Sequence, residues 1–276
     1  MEKTAPQPSA QIGQNLMLAV HSLAVFIISY YLIFIACGLA VIYISYDFDI
    51  PATLYLHKII FAIDDNDPLW TRDAVNSILL ATPVASFIIG LGAVFLFLMH
   101  PRKQALILYF VVWVFIQAFN MTFGLLSENL ISQTGLIRVA QLMNIHPVMM
   151  VVTVALSLFL MVKSGTFSGK LFYAHCSNPA STPHDKLRRG TAFFIFPWFA
   201  GNVILLVINK YRIKPEDIAL MFFMLVLLIP AVFAIAPTEK LNVMPKPKTL
   251  LWLLPLSAAI VALLQYFFRN GISIER

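Results

Sequence analysis

The densest set of side chains that could do chemistry in this 276-residue chain lies on one apolar stretch, at Gln117, Asn120, Gly124 and Glu128. On a helix turning about 100° per residue, the four fall within roughly an 80° arc. Gln117 and Asn120 each offer an amide donor and acceptor, and Gly124 lets another backbone approach. Glu128 adds a charge just past the end of the stretch. Such a face could line a polar groove opening at one membrane surface. It could also bond helices to one another, as amides and glycines commonly do, and the sequence favours that second use. His146, Thr153 and Ser157 form another stripe, within about 40°. Thr and Ser in helices often bond their own carbonyls, so this stripe needs no ligand to explain it.

Other chemistries lack their parts. A zinc protease helix carries two His one turn apart with a Glu between them. Here the string is His21-Ser22-Leu23-Ala24-Val25, without the Glu or the second His. The chain resembles a site-2-type intramembrane protease in its first-span His and a later helix containing Asn and Gly. With the catalytic residues missing, that resemblance implies at most an inactive relative. His175, Cys176 and His184 share a basic segment at no zinc-binding spacing, and a fourth ligand is missing. Asp64, Asp65, Asn66 and Asp67 resemble half a calcium loop, without its glycine or its late Glu. No metal and no cofactor is expected. Cys37 reads as a packed thiol and Cys176 as a loop thiol.

The elements that must position these residues are membrane helices. The chain is 60% hydrophobic and 12% charged, with 23 Phe. A soluble domain carries about twice that share of charge. The expected fold is an all-α polytopic bundle, residues 1–276 forming one integral membrane domain. Seven spans are expected, at about residues 20–45, 78–99, 105–126, 143–162, 191–208, 218–236 and 250–268. The alternative is six, with 191–208 re-entrant. The first span reads as retained, because its apolar run far exceeds a signal-peptide core. Asp47 to Asp73 reads as an acidic loop whose apolar part, Ala52 to Ile63, lies on the membrane surface. Thr134 to Asn144 reads as a short amphipathic helix capped by Thr134, and Lys163 to Gly190 as a polar connection.

The formal net charge of +6 sits between apolar segments, where it sets orientation and does not signal nucleic acid. The N-terminus and the loops at Arg102 and Lys186 are expected in the cytoplasm of a cell-membrane protein, with the acidic loop outside. Seven spans put eleven of the 19 Lys and Arg inside, and six spans put thirteen there, a mild preference for six that 18 uncharged residues at 191–208 oppose. No Lys, Arg, Asp or Glu falls deep in an expected span, which argues against a proton pump or voltage sensor.

Three function classes follow. The first is a non-catalytic membrane component or accessory subunit, with lipid and other membrane proteins as partners. The second is a carrier or channel for a small or lipid-like solute, drawn from the third-span amides and the prolines at 83, 147 and 197. The third is a membrane enzyme using His21, His146 or Glu128. It requires those side chains to converge within hydrogen-bond reach.

Overall fold

The computed structural model describes residues 8–64, 66–99, 105–175, 183–208, 215–234 and 252–274. It is an all-α bundle with a small sheet at one end. Among the described residues six helices are long and apolar enough to cross a membrane: Gly13–Asp47, Arg72–Met99, Ile107–Ser132, Pro147–Ala174, His184–Ile208 and Pro215–Phe233. The third is the central post, with 78% of its most apolar window buried, against 22% for the fourth. A seventh apolar helix, Leu253–Phe267, has 15 residues. At 1.5 Å per residue it spans about 22 Å, short of a hydrocarbon core of about 30 Å. Length alone therefore yields six crossings. The segment proposed as re-entrant, 191–208, belongs to one continuous helix of 25 residues.

The first helix, α1 (Pro8–Asp47), is 40 residues long, roughly twice what the hydrocarbon needs. Asp49, at φ 58°, turns the chain back on it. The apolar segment that follows is a β-hairpin, not a surface-lying stretch. In it β1 (Ala52–Tyr55) pairs antiparallel with β2 (Lys58–Phe61). Leu54 is fully buried, and a Cβ at Gly38 of α1 would come within 2.6 Å of the Leu54 side chain. Gly38 thus seats the hairpin. α2 (Arg72–Met99) contains Pro83, and Gly90 on it approaches the Phe119 ring in the same way.

The third crossing runs through α3 (Ala105–Phe119), a π-helical turn at Asn120–Gly124, and α4 (Leu125–Ser132), six residues beyond the expected end. The short helix α5 (Leu136–Leu142) follows. Its N-cap residue is Gly135 and not Thr134, and the Oδ1 of Asn129 on α4 accepts from Leu136 N at 3.0 Å. Gly135, at φ +40°, leaves room for that oxygen. Asn144 at φ 54° breaks the chain, so the fourth crossing begins at Pro147 and not at 143.

That crossing, α6 (Pro147–His175), overturns the polar connection expected from Lys163. Lys163 and Lys170 ride on it, and Lys163 Nζ lies 5.3 Å from the Phe159 ring centre. Long lysine stems lie along apolar surface with their charge directed to water. Helix α7 (Pro183–Gly190) then leads through a second π turn, Thr191–Ile195, into α8 (Phe196–Ile208). The last helices are α9 (Pro215–Phe223), α10 (Leu225–Phe233) and α11 (Leu253–Phe267). Cys176, the turn at 100–103 and the linker at 242–248 lie outside the described residues.

After α11 comes β3 (Ile272–Ser273), which pairs with β1. Gly271, at φ +76°, makes the turn into it. β3 therefore sits on the hairpin's side of the bundle, which requires an even number of crossings between hairpin and β3. The five long helices after α1 are an odd number, so either one of them does not cross or α11 crosses with them. Cysteines introduced at Asn66 and Ser273 are thus expected to react with an impermeant thiol reagent from the same side of the membrane, and one at His184 from the other. Labelling of 66 and 273 from opposite sides would remove α11 as a crossing.

Candidate functional site

The first π turn sits where the third crossing carries its polar residues. Such turns insert one residue into the helix, break the regular bonding and often mark functional sites. Thr122 compensates locally, its hydroxyl donating to Ala118 O at 2.9 Å. It also pairs with Ser86 of α2 at 2.8 Å, beside Pro83. Asn120 opens the turn and is buried. Its Nδ2 donates to Leu220 O on α9 at 3.2 Å. A Cβ at Gly124 would stand 2.5 Å from Asn120 Oδ1, so Gly124 is the space that the amide occupies.

Gln117 and Asn120 line a cavity of about 90 Å³ inside the bundle. Its other polar residues are Tyr30 of α1, His57 at the hairpin tip, Asn202 of α8 and Asp217 of α9. Ile33, Phe34, Met121, Leu220, Met221 and Met224 make the apolar wall. Asp217 is exposed, near the start of α9, whereas Gln117 and Asn120 are each 3% accessible. The cavity therefore runs inward from the hairpin's side of the bundle.

Three of the lining carboxamides carry a buried atom with no hydrogen-bond partner among the described residues: Gln117 Nε2, Asn120 Oδ1 and Asn202 Nδ2. A buried polar atom left so costs about 1–3 kcal/mol. Such atoms are rare in folded proteins, and three around one cavity call for a reason. Each is covered by neighbouring protein. The terminal torsion of a carboxamide is broad, so a modest turn presents the atom to whatever the cavity holds. The set can give two N–H donors and one acceptor to a small polar molecule, with His57 and Asp217 near its entrance.

The remaining sequence candidates lie elsewhere. Glu128 is 2% accessible and does not line the cavity. Its carboxylate accepts from Asn129 Nδ2 at 2.6 Å and Ser132 Oγ at 2.7 Å, so it is tied into the end of α4. His146 is exposed and accepts from Val148 N at 3.3 Å as the cap of α6. Thr153 donates to its own helix at Met149 O, and Ser157 is buried on the same helix. His21 is buried near the start of α1, at the other end of the bundle from Glu128 and His146. The three side chains that an enzyme would use do not converge. Among the described residues no group of three His, Cys, Asp or Glu could hold a metal ion.

Asn202, Tyr30, His57 and Asp217 are site residues that the sequence did not single out. Asn202 did carry a signal, as the only amide side chain in the 191–208 stretch. His57 carried none, since its place depends on the hairpin folding back along α1.

The second π turn is handled differently. Ser22 donates to Phe193 O at 2.6 Å and accepts from Trp113 Nε1 at 2.7 Å, all fully buried. Rings pack around it, Phe172 on Phe193 at 4.1 Å and Phe26 edge-on to Trp113 at 5.0 Å. Here the Phe193 carbonyl and the Trp113 N–H are both bonded through Ser22, which is what structural packing looks like. Ser22→Ala strands an N–H and a carbonyl at once. It should lower unfolding stability in detergent by about 2 kcal/mol. A loss under a few tenths would show that the two groups find other partners.

Comparison with protein-family models, curated proteins and solved structures finds no match to this chain.

Proposed function

We propose that this membrane protein is non-catalytic and takes a small polar solute into its bundle, acting as a carrier or channel component of the cell membrane. The observation that supports this most is the meeting of three incompletely bonded carboxamides, from α3, the first π turn and α8, around one cavity. Pure helix-to-helix bonding would satisfy those groups within the protein. A cavity of this size suits a molecule of a few heavy atoms that both accepts and donates hydrogen bonds. The accessory-subunit role expected from composition draws on no particular residue, and the enzyme reading lacks converging groups.

The test is permeability of proteoliposomes by stopped-flow light scattering, with glycerol, urea and ethanolamine as probes. Faster solute entry than in protein-free vesicles is expected for at least one of the three. Equal permeability for all three, with no shift in thermal unfolding by any of them, would overturn the proposal.

A further inference from the structure

A second concave site lies at the opposite end of the bundle, between the start of α1 and the α7–α8 junction. It is a groove of about 440 Å³, in the size range of ligand pockets. Its walls change character along its length. Asn15 is followed on α1 by Leu16, which is 61% exposed. On the facing helices His184 and Arg188 give way to Phe196, which is 42% exposed. The polar-to-apolar boundary of two helices from distant parts of the chain therefore meets in one groove. In a bundle whose outer faces are apolar, that boundary marks the depth where headgroups end and acyl chains begin. The neighbouring cation Lys186 is turned elsewhere, its Nζ 5.1 Å from the Tyr173 ring centre. Arg188 remains on the groove wall.

We infer that this groove binds an anionic phospholipid, its phosphate held by Arg188 and His184 and an acyl chain lying along Leu16 and Phe196. The guanidinium presents paired N–H donors that match two phosphate oxygens, and the apolar wall continues where the glycerol ester would lead. A free anion would gain nothing from that apolar wall, which is why a lipid is the occupant that fits. The same end of the bundle carries the basic residues expected on the cytoplasmic side, where anionic lipid would face the protein.

Thermal unfolding of the full chain in mixed micelles tests this. Phosphatidylglycerol should raise the midpoint more than phosphatidylcholine at equal mole fraction. Arg188→Gln should remove most of that difference, an affinity loss of about fivefold for one interfacial cation, while Arg72→Gln, on the hairpin's side, should preserve it. Native mass spectrometry of the unmodified chain gives an independent reading. Supplied with both lipids equally, it should retain phosphatidylglycerol in preference. Equal effects of the two lipids, an undiminished preference in Arg188→Gln, or full reproduction of the shift by inorganic phosphate would each overturn the inference.

Discussion

Gly169→Leu is expected to separate α6 from α10 and to cost about 3 kcal/mol or more, a fall in thermal midpoint of roughly 10 °C. Gly165 and Gly169 lie one turn apart and face the backbone of α10. A Cβ on Gly165 would fall on the Leu227 carbonyl, and one on Gly169 on the Ala231 carbonyl. The obstruction is main chain, so no side-chain rotation relieves it and the helices must move apart. Small residues spaced four apart are how membrane helices gain close van der Waals contact, since lipid removes the hydrophobic drive between them. Gly92→Leu is the matched control, because no atom of the described residues stands within 4 Å of a Cβ there. It should change stability by less than about 0.5 kcal/mol. Both variants add hydrophobicity, so membrane insertion should be preserved in each. Equal midpoints for Gly169→Leu and Gly92→Leu would refute close packing of α6 on α10.

That contact shows where the sequence stopped being legible. Hydropathy found the long apolar helices because lipid imposes apolar runs wherever a helix traverses it. The same measure missed Gly165 and Gly169, since Lys163 and Lys170 made the segment read as a loop. Helices do not end at lysines whose charge can reach water, and α6 continues to His175. The hairpin was hidden for a different reason. Ala52 to Phe61 is a short apolar run, and period alone does not separate a surface-lying stretch from paired strands. Its strand character comes from Leu54 seating on Gly38 and from β3, more than 200 residues later. The amides of the third crossing were visible, but the π turn that places Asn120 was not. Nor was the cavity they share with Asn202, because α3 and α8 come to line one space only through the tertiary fold.

Replacing the cavity amides by leucine should divide them into two kinds. Asn120 has both a bonded and an unbonded end. Its Nδ2 bond to Leu220 O joins the third crossing to the sixth, and such bonds contribute about 0.6 kcal/mol on average and at most about 2. Asn120→Leu should therefore lower stability by about that amount and leave insertion intact, one amide being minor against so many apolar neighbours. Gln117 and Asn202 each hold a buried donor without a partner among the described residues. Leucine removes that desolvated group, so Gln117→Leu and Asn202→Leu should be neutral or raise stability by about 1 kcal/mol. Stability traded for a binding site shows this sign, whereas helix bonding shows the reverse. Function should move oppositely. Each leucine deletes one hydrogen bond to the solute, worth about tenfold in its affinity, and the Gln117→Leu, Asn202→Leu double variant should lose about a hundredfold. Thermal unfolding and solute permeability of the three single variants and the double separate the outcomes. Falling stability in all three singles, with coupling between Gln117 and Asn202, would make the amides helix-bonding groups and remove the cavity from the list of sites. Raised stability in two of them together with lost permeability would tie both effects to the same unbonded N–H groups, which in the unmodified protein are held in reserve for the solute.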